Sequence, residues 1–322
     1  MAVYTDVSDE ELDSFIGSYA IGALTSFKGI AEGVENSNYL VYTEGGRYIL
    51  TLYEKRVSRE DLPYFLALME HLAARGLNCP LPVRDREGRA LKELAGRPAA
   101  LITFLEGLWV RRPGIEHCAG LGDALARFHL AGSDFPMTRA NSLSLPGWQS
   151  LFADIGGGAD QVIPGLASLI AKELQYLEGA WQGDLPVGVI HADLFPDNVF
   201  FLGDKVSGLI DFYFACNDML AYDIAVCLNA WCFESDGSFN VTKARALLEA
   251  YEAVRPLTKA ELDRLPTLAR GAALRFLLTR TYDLINTDAN ALVKTKDPNE
   301  YLRKLRFHQR VRSTREYGLK ES

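Results

Sequence analysis

Three polar residues near the middle of the chain have the types and spacing to assist phosphoryl transfer. Asp193, Asn198 and Asp211 place an acid, an amide and a second acid in one apolar stretch, 187–214. Phosphoryl transfer needs a carboxylate that orients the attacking hydroxyl and accepts its proton, next to ligands of a cation that neutralises phosphate charge. Asp193 suits the first role. Asn198 and Asp211 suit Mg²⁺, which prefers a few protein oxygens together with phosphate oxygens and water.

A β-hairpin is predicted to position the amide and the second acid. Gly203 and Asp204 have the composition of a two-residue hairpin turn. With that turn, Asn198 faces Leu209 across the strands, and Asp211 lies diagonal to Asn198 at roughly 7–8 Å between backbones. One small cation fits between such side chains. In the other interpretation, the two aspartates cap turns and Asn198 supports a loop.

His191 lies two residues before Asp193. An imidazole there could act as a general base, but a buried histidine in a turn more commonly orients the loop through hydrogen bonds, and we predict this supporting role. A metal-dependent hydrolase that uses His191 and Asp193 as ligands is disfavoured, because further His or Asp ligands at suitable spacing are lacking.

Composition limits the class of protein and of partner. The 322 residues predict about two domains or one two-lobed unit. Hydrophobic residues make up 48% and charged residues 24%, which is ordinary globular composition. The 34 Lys and Arg residues against 42 Asp and Glu residues give a net charge of -8. This charge offers no basic surface for nucleic acid or an anionic membrane, so we predict neither as a partner.

The cysteines and the first residues favour the cytoplasm. The five cysteines are scattered and lack metal-ligand spacing, which indicates a reducing compartment. The N-terminal residues are acidic where a signal peptide would be basic. The most apolar window, 98–110, contains Glu106 and is too short to span a membrane.

The first part of the chain predicts a small sheet with a few helices. Ser8 with Glu11 has the pattern of a capping box before a helix, and Ser58 with Asp61 repeats this signal before a second helix. Two strands over 39–42 and 47–53 are joined by the turn 44–46, and 99–105 reads as another strand. Beyond about residue 106, apolar residues recur mainly at helical spacing. We therefore predict an α+β protein with an N-terminal lobe over 1–103, built on a small antiparallel sheet, and a larger, mainly helical lobe over 104–322.

The pattern His191-x-Asp193-x-x-x-x-Asn198, followed by Ile210-Asp211-Phe212, resembles the catalytic and metal-binding loops of the aminoglycoside-phosphotransferase-like branch of the protein kinase fold. This branch also includes choline and methylthioribose kinases. The resemblance implies a two-lobed protein-kinase-like fold, ATP and Mg²⁺ as cofactors, Asp193 as the catalytic base, and Asn198 and Asp211 as magnesium ligands.

Four further segments resemble the kinase-like family of homoserine kinases: 35–39, 48–54, 101–107 and 229–233. The implied activity is ATP-dependent phosphorylation of the side-chain hydroxyl of homoserine, in threonine biosynthesis. Two alternatives stay open. The acceptor could be another amino alcohol, an aminoglycoside or methylthioribose, or the chain could be a non-catalytic nucleotide-binding pseudokinase.

The resemblance also implies which residues bind the two substrates. The nucleotide would contact Asn36, Ser37, Leu50 and a hinge formed by Thr103, Phe104 and Leu105. Asp223 would brace the catalytic loop, although a plain helix N-cap explains it equally well. Arg275 or Arg280 could clamp the acceptor carboxylate, and Trp231 could form a wall of its pocket. Pairing of the arginines with acids such as Asp283 and packing of Trp231 in the helical core are the alternatives.

Two departures from the kinase pattern concern the nucleotide. Thr51 stands where the third strand of a kinase carries a phosphate-binding lysine. Lys28 or Arg56 could replace it, or the metal ion could neutralise more of the phosphate charge. Without that lysine, Glu70 loses its expected partner and is predicted to be a solvated or structural acid. The loop 29–38 also lacks the pattern G-x-G-x-x-G.

Overall fold

The computed structural model describes residues 5–30, 36–54, 57–181, 184–287 and 295–319. The described chain forms two compact units, Met1–Gly107 with Gly208–Tyr213, and Leu108–Ser207 with Phe214–Ser322. The first unit therefore extends four residues beyond the boundary drawn from the sequence, and it includes a short later segment that the sequence analysis assigned to the second lobe.

A five-stranded antiparallel sheet forms the first unit. Its strands, in spatial order, are β1 (Leu24–Gly29), β2 (Ser37–Thr43), β3 (Gly46–Leu52), β5 (Arg97–Thr103) and β4 (Leu91–Leu94). The predicted hairpin is confirmed, since β2 pairs with β3 from Ser37 opposite Leu52 to Thr43 opposite Gly46. A Cβ atom on Gly45 would lie 2.5 Å from the carbonyl oxygen of Ile21, so the turn requires a glycine there.

Two helices complete the first unit. Helix α1 (Asp9–Gly17) begins with the predicted capping box between Ser8 and Glu11. Its apolar face is part of a buried core with one face of the sheet, formed by Leu12, Phe15, Ile16, Tyr39, Val41, Leu50, Leu52 and Leu101. The second helix, α2 (Leu62–Ala74), is also confirmed, but its predicted cap is wrong. The helix begins after Asp61, whose side chain makes no capping hydrogen bond, and a proline occupies the first turn.

Helices dominate the second unit. They are α3 (Ile115–Ala131), α4 (Leu145–Ile155), α5 (Ala159–Val162), α6 (Leu166–Ala180), α7 (Leu220–Trp231), α8 (Val241–Val254), α9 (Lys259–Asn286) and α10 (Pro298–His308). Strands β6 (Val187–Ile190) and β9 (Cys216–Met219) pair antiparallel, with Ile190 opposite Cys216. Helix α7 follows β9 directly, so the start of β6 and the start of α7 lie close together, and the Leu220 N–H donates to the Pro186 carbonyl oxygen at 3.0 Å.

The predicted second hairpin is confirmed. Strands β7 (Val199–Leu202) and β8 (Lys205–Leu209) pair through a turn at Gly203 and Asp204, and Gly203 has the positive φ of 62° that such turns require. Asn198 is not part of the strand itself. It ends a short 3₁₀ turn, Pro196–Asn198, immediately before β7.

Apolar spacing in the sequence predicts a helix over 268–285, and helix α9 is longer than that. It begins at Lys259 with a capping box between Thr258 and Glu261, and it continues through Pro266. None of the helices in the described part of the chain has the length and apolarity needed to cross a membrane.

Candidate active site

The turn after β6 carries Asp193 in a constrained backbone. Ala192 has a φ of 63°, a left-handed conformation that costs a residue with a Cβ atom about 1–2 kcal/mol. Both of its backbone groups are bound: the N–H donates to Asp223 Oδ1 at 2.9 Å, and the carbonyl oxygen accepts from the guanidinium of Arg275. The N–H of His191 donates to Asp223 Oδ2 at 2.7 Å. These bonds hold the turn in a conformation that it would not adopt unaided.

Asp223 braces this turn from α7. It is the fourth residue of the helix, which has Met219 at its N-cap, so the helix-cap interpretation of Asp223 is wrong. Its side chain is fully buried. Burial disfavours the carboxylate, but the hydrogen bonds from His129 and from the backbone N–H of His191 outweigh burial and keep the pKa of Asp223 below its usual range. The brace is therefore an ionised carboxylate. The supporting role predicted for the His191 imidazole stays a prediction, since the bond to Asp223 comes from the backbone N–H of His191.

Asn198 lies directly against Asp193. Its amide nitrogen donates to the Asp193 carbonyl oxygen at 2.8 Å and approaches Asp193 Oδ2 at 3.4 Å. The N–H of Phe195 donates to the same carbonyl oxygen at 2.8 Å. Since the nitrogen of the amide is used on Asp193, the oxygen is the atom that Asn198 can offer to a cation.

The Asp193 carboxyl is half-buried and has an altered acidity. Burial raises its pKa to about 6, against the opposing positive charges of Arg275 and Lys296. A carboxyl group with a pKa near 6 is ionised at neutral pH, yet it accepts a proton more readily than an ordinary aspartate. This is the property expected of a base that takes a hydroxyl proton.

The two residues predicted to contact the acceptor both support the turn. The Trp231 indole N–H donates to the Leu194 carbonyl oxygen at 2.8 Å, and the side chain is 1% exposed. Arg275 is 2% exposed and lies against the rings of Phe214 and Phe276 while it donates to the turn. The packing alternative for Trp231 thus describes its observed surroundings. Arg280, the other arginine considered, pairs with Glu300 at 2.6 Å rather than with Asp283.

Asp211 belongs to the first unit and lies two residues after the end of β8. Its side chain is exposed, and its φ of 64° is a left-handed conformation that Asp and Asn tolerate better than most residues. Asn198 and Asp211 therefore flank the hairpin, one before β7 and one after β8. An exposed carboxylate in a sharp turn is suited to binding a hard cation.

The position that lacks a lysine is occupied by a neutral pair. The Thr51 hydroxyl, 1% exposed, donates to the Asn38 side-chain oxygen at 2.8 Å. Tyr53 and Tyr213 lie nearby in the same unit with hydroxyl groups 3.2 Å apart. Lys28 is exposed and lies on the same sheet face as Asn38 and Thr51, because it pairs opposite Leu40. Arg56 lies outside the described residues.

Three of the predicted nucleotide contacts are used in other ways. Leu50 is fully buried in the core beneath α1, on the opposite face from Thr51, so we now assign it to packing. Asn36 accepts from the N–H of Glu54 at 3.2 Å, and Ser37 donates to the Glu54 carboxylate at 2.8 Å. Both side chains are buried and shape the start of β2 instead of facing solvent.

The predicted hinge residues follow the end of β5. Thr103 bonds with Leu81 through both its backbone N–H and its hydroxyl, each at 2.9 Å. Phe104 and Leu105 are half-buried, and the guanidinium of Arg47 lies 4.5 Å from the centre of the Phe104 ring. The contacts with Leu81 and Arg47 therefore hold the segment 103–105 in place.

Glu70 behaves as a structural acid, as predicted. Both of its carboxylate oxygens accept from Arg84, at 2.8 and 2.9 Å. The pair lies within the first unit and involves neither Thr51 nor Lys28.

Sequence reasoning missed His129 and Tyr251. His129 Nε2 lies 3.2 Å from Asp223 Oδ2, and His129 Nδ1 lies 2.7 Å from the Tyr251 hydroxyl. The three residues come from α3, α7 and α8 and are separated by 94 and 122 positions. A histidine and a tyrosine on the apolar faces of two helices form no local motif, so the sequence held no signal for this contact.

Comparison with known proteins agrees with this geometry. The family model of the phosphotransferase enzyme family matches residues 26–257. Homoserine kinases of Bradyrhizobium sp. (strain ORS 278) and Xanthobacter autotrophicus (strain ATCC BAA-1158 / Py2) are 66% and 67% identical to the chain, each over 99% of both chains. Among solved structures, that of the amicoumacin kinase hAmiN in complex with AMP-PNP and Ca²⁺ is similar with a TM-score of 0.70 at 16% identity, covering 94% of this chain and 92% of that one. The predicted kinase-like α+β fold is thereby confirmed, and the chain belongs to the phosphotransferase enzyme family and, within it, to the homoserine kinases.

Proposed function

We propose that this chain transfers the terminal phosphoryl group of ATP to the side-chain hydroxyl of homoserine, a reaction of threonine biosynthesis, with Asp193 as the base. Identity of about two thirds to homoserine kinases over the full chain supports the reaction. The observation that carries the mechanism is the Asp193 carboxyl itself. It lies in a braced turn beside Asn198, with its pKa raised to about 6.

Asp193 orients the acceptor hydroxyl and takes its proton as the hydroxyl oxygen bonds to the terminal phosphorus of ATP and the bond from that phosphorus to the departing ADP breaks. The proton moves to the Asp193 carboxylate, whose position is set by the backbone bonds of Ala192 and by Asn198. Because Asp223 and Arg275 hold the N–H and the carbonyl of Ala192, the carboxylate needs little rearrangement when the acceptor binds.

Asn198 and Asp211 fit the requirements of a magnesium ion. One offers an amide oxygen and the other an exposed carboxylate, and hard oxygen ligands in small number are what Mg²⁺ accepts when phosphates and water complete its shell. When bound, Mg²⁺ neutralises charge on the phosphates of ATP. We propose these two side chains as its protein ligands.

For the nucleotide, we propose that the backbone of Thr103, Phe104 and Leu105 binds the adenine. Position 51 of β3 offers no charge to the phosphates, because Thr51 and Asn38 form a neutral pair. Lys28, exposed on the same face of the sheet, is the described cation that suits this role. The predicted contribution of Asn36 and Ser37 then reduces to shaping the start of β2.

The acceptor is a zwitterion, and its carboxylate needs a cation. Two cations act on the Asp193 carboxyl, the buried Arg275 and the exposed Lys296, whose Nζ lies 5.5 Å from the centre of the Phe195 ring. We propose that the homoserine carboxylate binds beside Asp193, near the positive charges of Arg275 and Lys296. Trp231 contributes by fixing the carbonyl of Leu194.

A screen of acceptors tests the reaction. ADP release is measured with homoserine, choline, methylthioribose and kanamycin, and we expect a response to homoserine alone. The Asp193→Asn variant provides the background of ATP hydrolysis. Release with choline or kanamycin in place of homoserine would assign the chain to another acceptor, and no release with any of them would favour a pseudokinase.

The raised pKa of Asp193 predicts a pH profile. The base must be ionised, so kcat/KM for homoserine should fall about tenfold per pH unit below the pKa of about 6. The measurement is kcat/KM between about pH 5 and pH 9. Replacing Lys296 by Met removes a charge that favours the carboxylate, so the inflection should move to higher pH. A profile that is flat down to pH 5 would contradict Asp193 as the base.

We further propose a cytoplasmic location. All five cysteines are buried and free, as expected for a protein of a reducing compartment.

A further inference from the structure

A continuous set of hydrogen bonds leads away from the catalytic turn through Asp223. His129 Nε2 lies 3.2 Å from Asp223 Oδ2, and His129 Nδ1 lies 2.7 Å from the Tyr251 hydroxyl. Arg255 Nη1 donates to the Tyr251 hydroxyl at 3.1 Å and to Glu261 Oε1 at 2.9 Å. The five side chains belong to α7, α3, α8, the residue after α8, and α9.

The donors in this set determine where every proton lies. Arginine has no acceptor, so the Tyr251 oxygen accepts from Arg255. The ionised Asp223 carboxylate beside Nε2 can only accept, so in a neutral His129 the lone pair lies on Nδ1, where it accepts the single hydroxyl hydrogen of Tyr251. The ring proton of a neutral His129 therefore lies on Nε2, where it donates to the Asp223 carboxylate. Burial lowers the pKa of His129, which agrees with a neutral ring.

The outer end of the set is itself fixed. Glu261 is fully buried and accepts from Arg255 through Oε1. Its other oxygen accepts from the backbone N–H of Thr258 at 2.9 Å and from the Thr258 hydroxyl at 3.0 Å, which forms the capping box of α9. The start of α9 thus holds Arg255 in the orientation that it needs to donate to Tyr251.

We infer that Tyr251 is a positioning residue for phosphoryl transfer: with Arg255 it fixes the Nε2–H tautomer of His129, which orients the Asp223 carboxylate that holds the turn before Asp193. In the other tautomer, a lone pair of Nε2 would face the Asp223 carboxylate, and the two would repel. Asp223 would then turn away from the N–H groups of His191 and Ala192. This inference goes beyond the brace itself, and it rests on the proposed function only for its readout in turnover.

The chain offers a matched control for the experiment. Tyr317 bonds through its hydroxyl to His308 Nδ1 at 2.7 Å, and both residues are fully buried. Tyr317→Phe therefore removes the same kind of hydrogen bond, of the same length, from a histidine that makes no described contact with the catalytic turn. Because phenylalanine keeps the ring in both variants, each loses only a hydroxyl group.

Tyr251→Phe should lower kcat by about tenfold to a hundredfold, the range for a small displacement of a catalytic group, with KM for ATP and for homoserine changed by less than about twofold. Tyr317→Phe should leave kcat at the wild-type value. The two variants should lower the melting temperature by similar amounts, because each loses one buried hydrogen bond to a histidine. Nitrogen-15 NMR of the five histidines should show His129 as the Nε2–H tautomer in the wild type and in Tyr317→Phe, but not in Tyr251→Phe.

Three outcomes would overturn the inference. They are a wild-type kcat in Tyr251→Phe, equal losses of kcat in the two variants, and an Nδ1–H tautomer of His129 in the wild type. The NMR measurement needs no substrate, so it tests the tautomer even if homoserine is not the acceptor. Wild-type turnover with homoserine tests the proposed function separately.

Discussion

Replacing Asp193 by Asn should lower kcat by about 10²- to 10⁴-fold, the contribution usual for a general base. Asparagine has the same shape, and its side-chain oxygen can still accept from the Asn198 amide, which now lies 2.8 Å from the Asp193 carbonyl and 3.4 Å from its carboxylate. The turn should therefore keep its structure. What is lost is the capacity to take the hydroxyl proton.

Steady-state kinetics and nucleotide binding together check this expectation. The affinity for ATP should stay close to the wild-type value, because the substituted atom acts on the acceptor. Asp204→Asn is a suitable control, since Asp204 is an exposed acid at the tip of the β7–β8 turn with its side chain 78% accessible. Wild-type turnover in Asp193→Asn would remove Asp193 as the base. A large loss of ATP affinity would instead assign it to nucleotide binding.

Replacing Asp211 by Asn should weaken the use of Mg²⁺, with turnover at a fixed Mg²⁺ concentration reduced by about 10²-fold or more, since a bound metal supplies several kcal/mol of charge stabilisation. The substitution keeps the backbone intact, because asparagine tolerates the φ of 64° at this position as well as aspartate does. It removes only the negative charge.

A metal titration separates this effect from a loss of fold. The Mg²⁺ concentration that gives half-maximal turnover should rise by about tenfold or more in the variant, which corresponds to at least about 1.4 kcal/mol of lost binding. ATP binding in the presence of a chelator should be the same in both proteins. An unchanged Mg²⁺ titration would exclude Asp211 as a ligand.

Local signals predicted much of the fold because they act through neighbouring residues. The turns at Gly45 and Gly203 and the capping box at Ser8 each depend on a few adjacent side chains, and the structure has all three. The start of α9 lies before the predicted stretch 268–285, although it too has a local signal, the capping box at Thr258. Pro266 lies within this helix, where proline usually causes a break.

In the candidate site, too, contacts within one turn could be predicted from the sequence, whereas contacts between distant elements could not. The spacing of Asp193 and Asn198 falls within one turn, so the sequence could predict that they lie together, and they do. Asp223 could not be distinguished from a helix cap by its neighbours, since its role depends on β6 packing beside α7. The pairing of His129 with Tyr251 joins two helices distant in sequence.

The residues predicted to contact the nucleotide show that a family-like segment does not by itself reveal which side chains are accessible. Leu50, Asn36 and Ser37 lie in segments that resemble the family, yet strand alternation turns Leu50 into the core. Glu54 binds the side chains of Ser37 and, through its backbone, Asn36. A motif identifies a segment, whereas the sheet and its neighbours decide which atoms remain accessible.

The hydroxyl–amide pair of Thr51 and Asn38 has a consequence for chemical profiling of nucleotide-binding proteins. Reagents that carry an acylating group on an ATP-like scaffold are built to modify the amine that most kinases display on the third strand. Here that position holds a secondary alcohol, hydrogen-bonded and 1% exposed, which is a poor nucleophile. We therefore expect that such reagents do not modify the enzyme at residue 51, although the enzyme uses the same nucleotide.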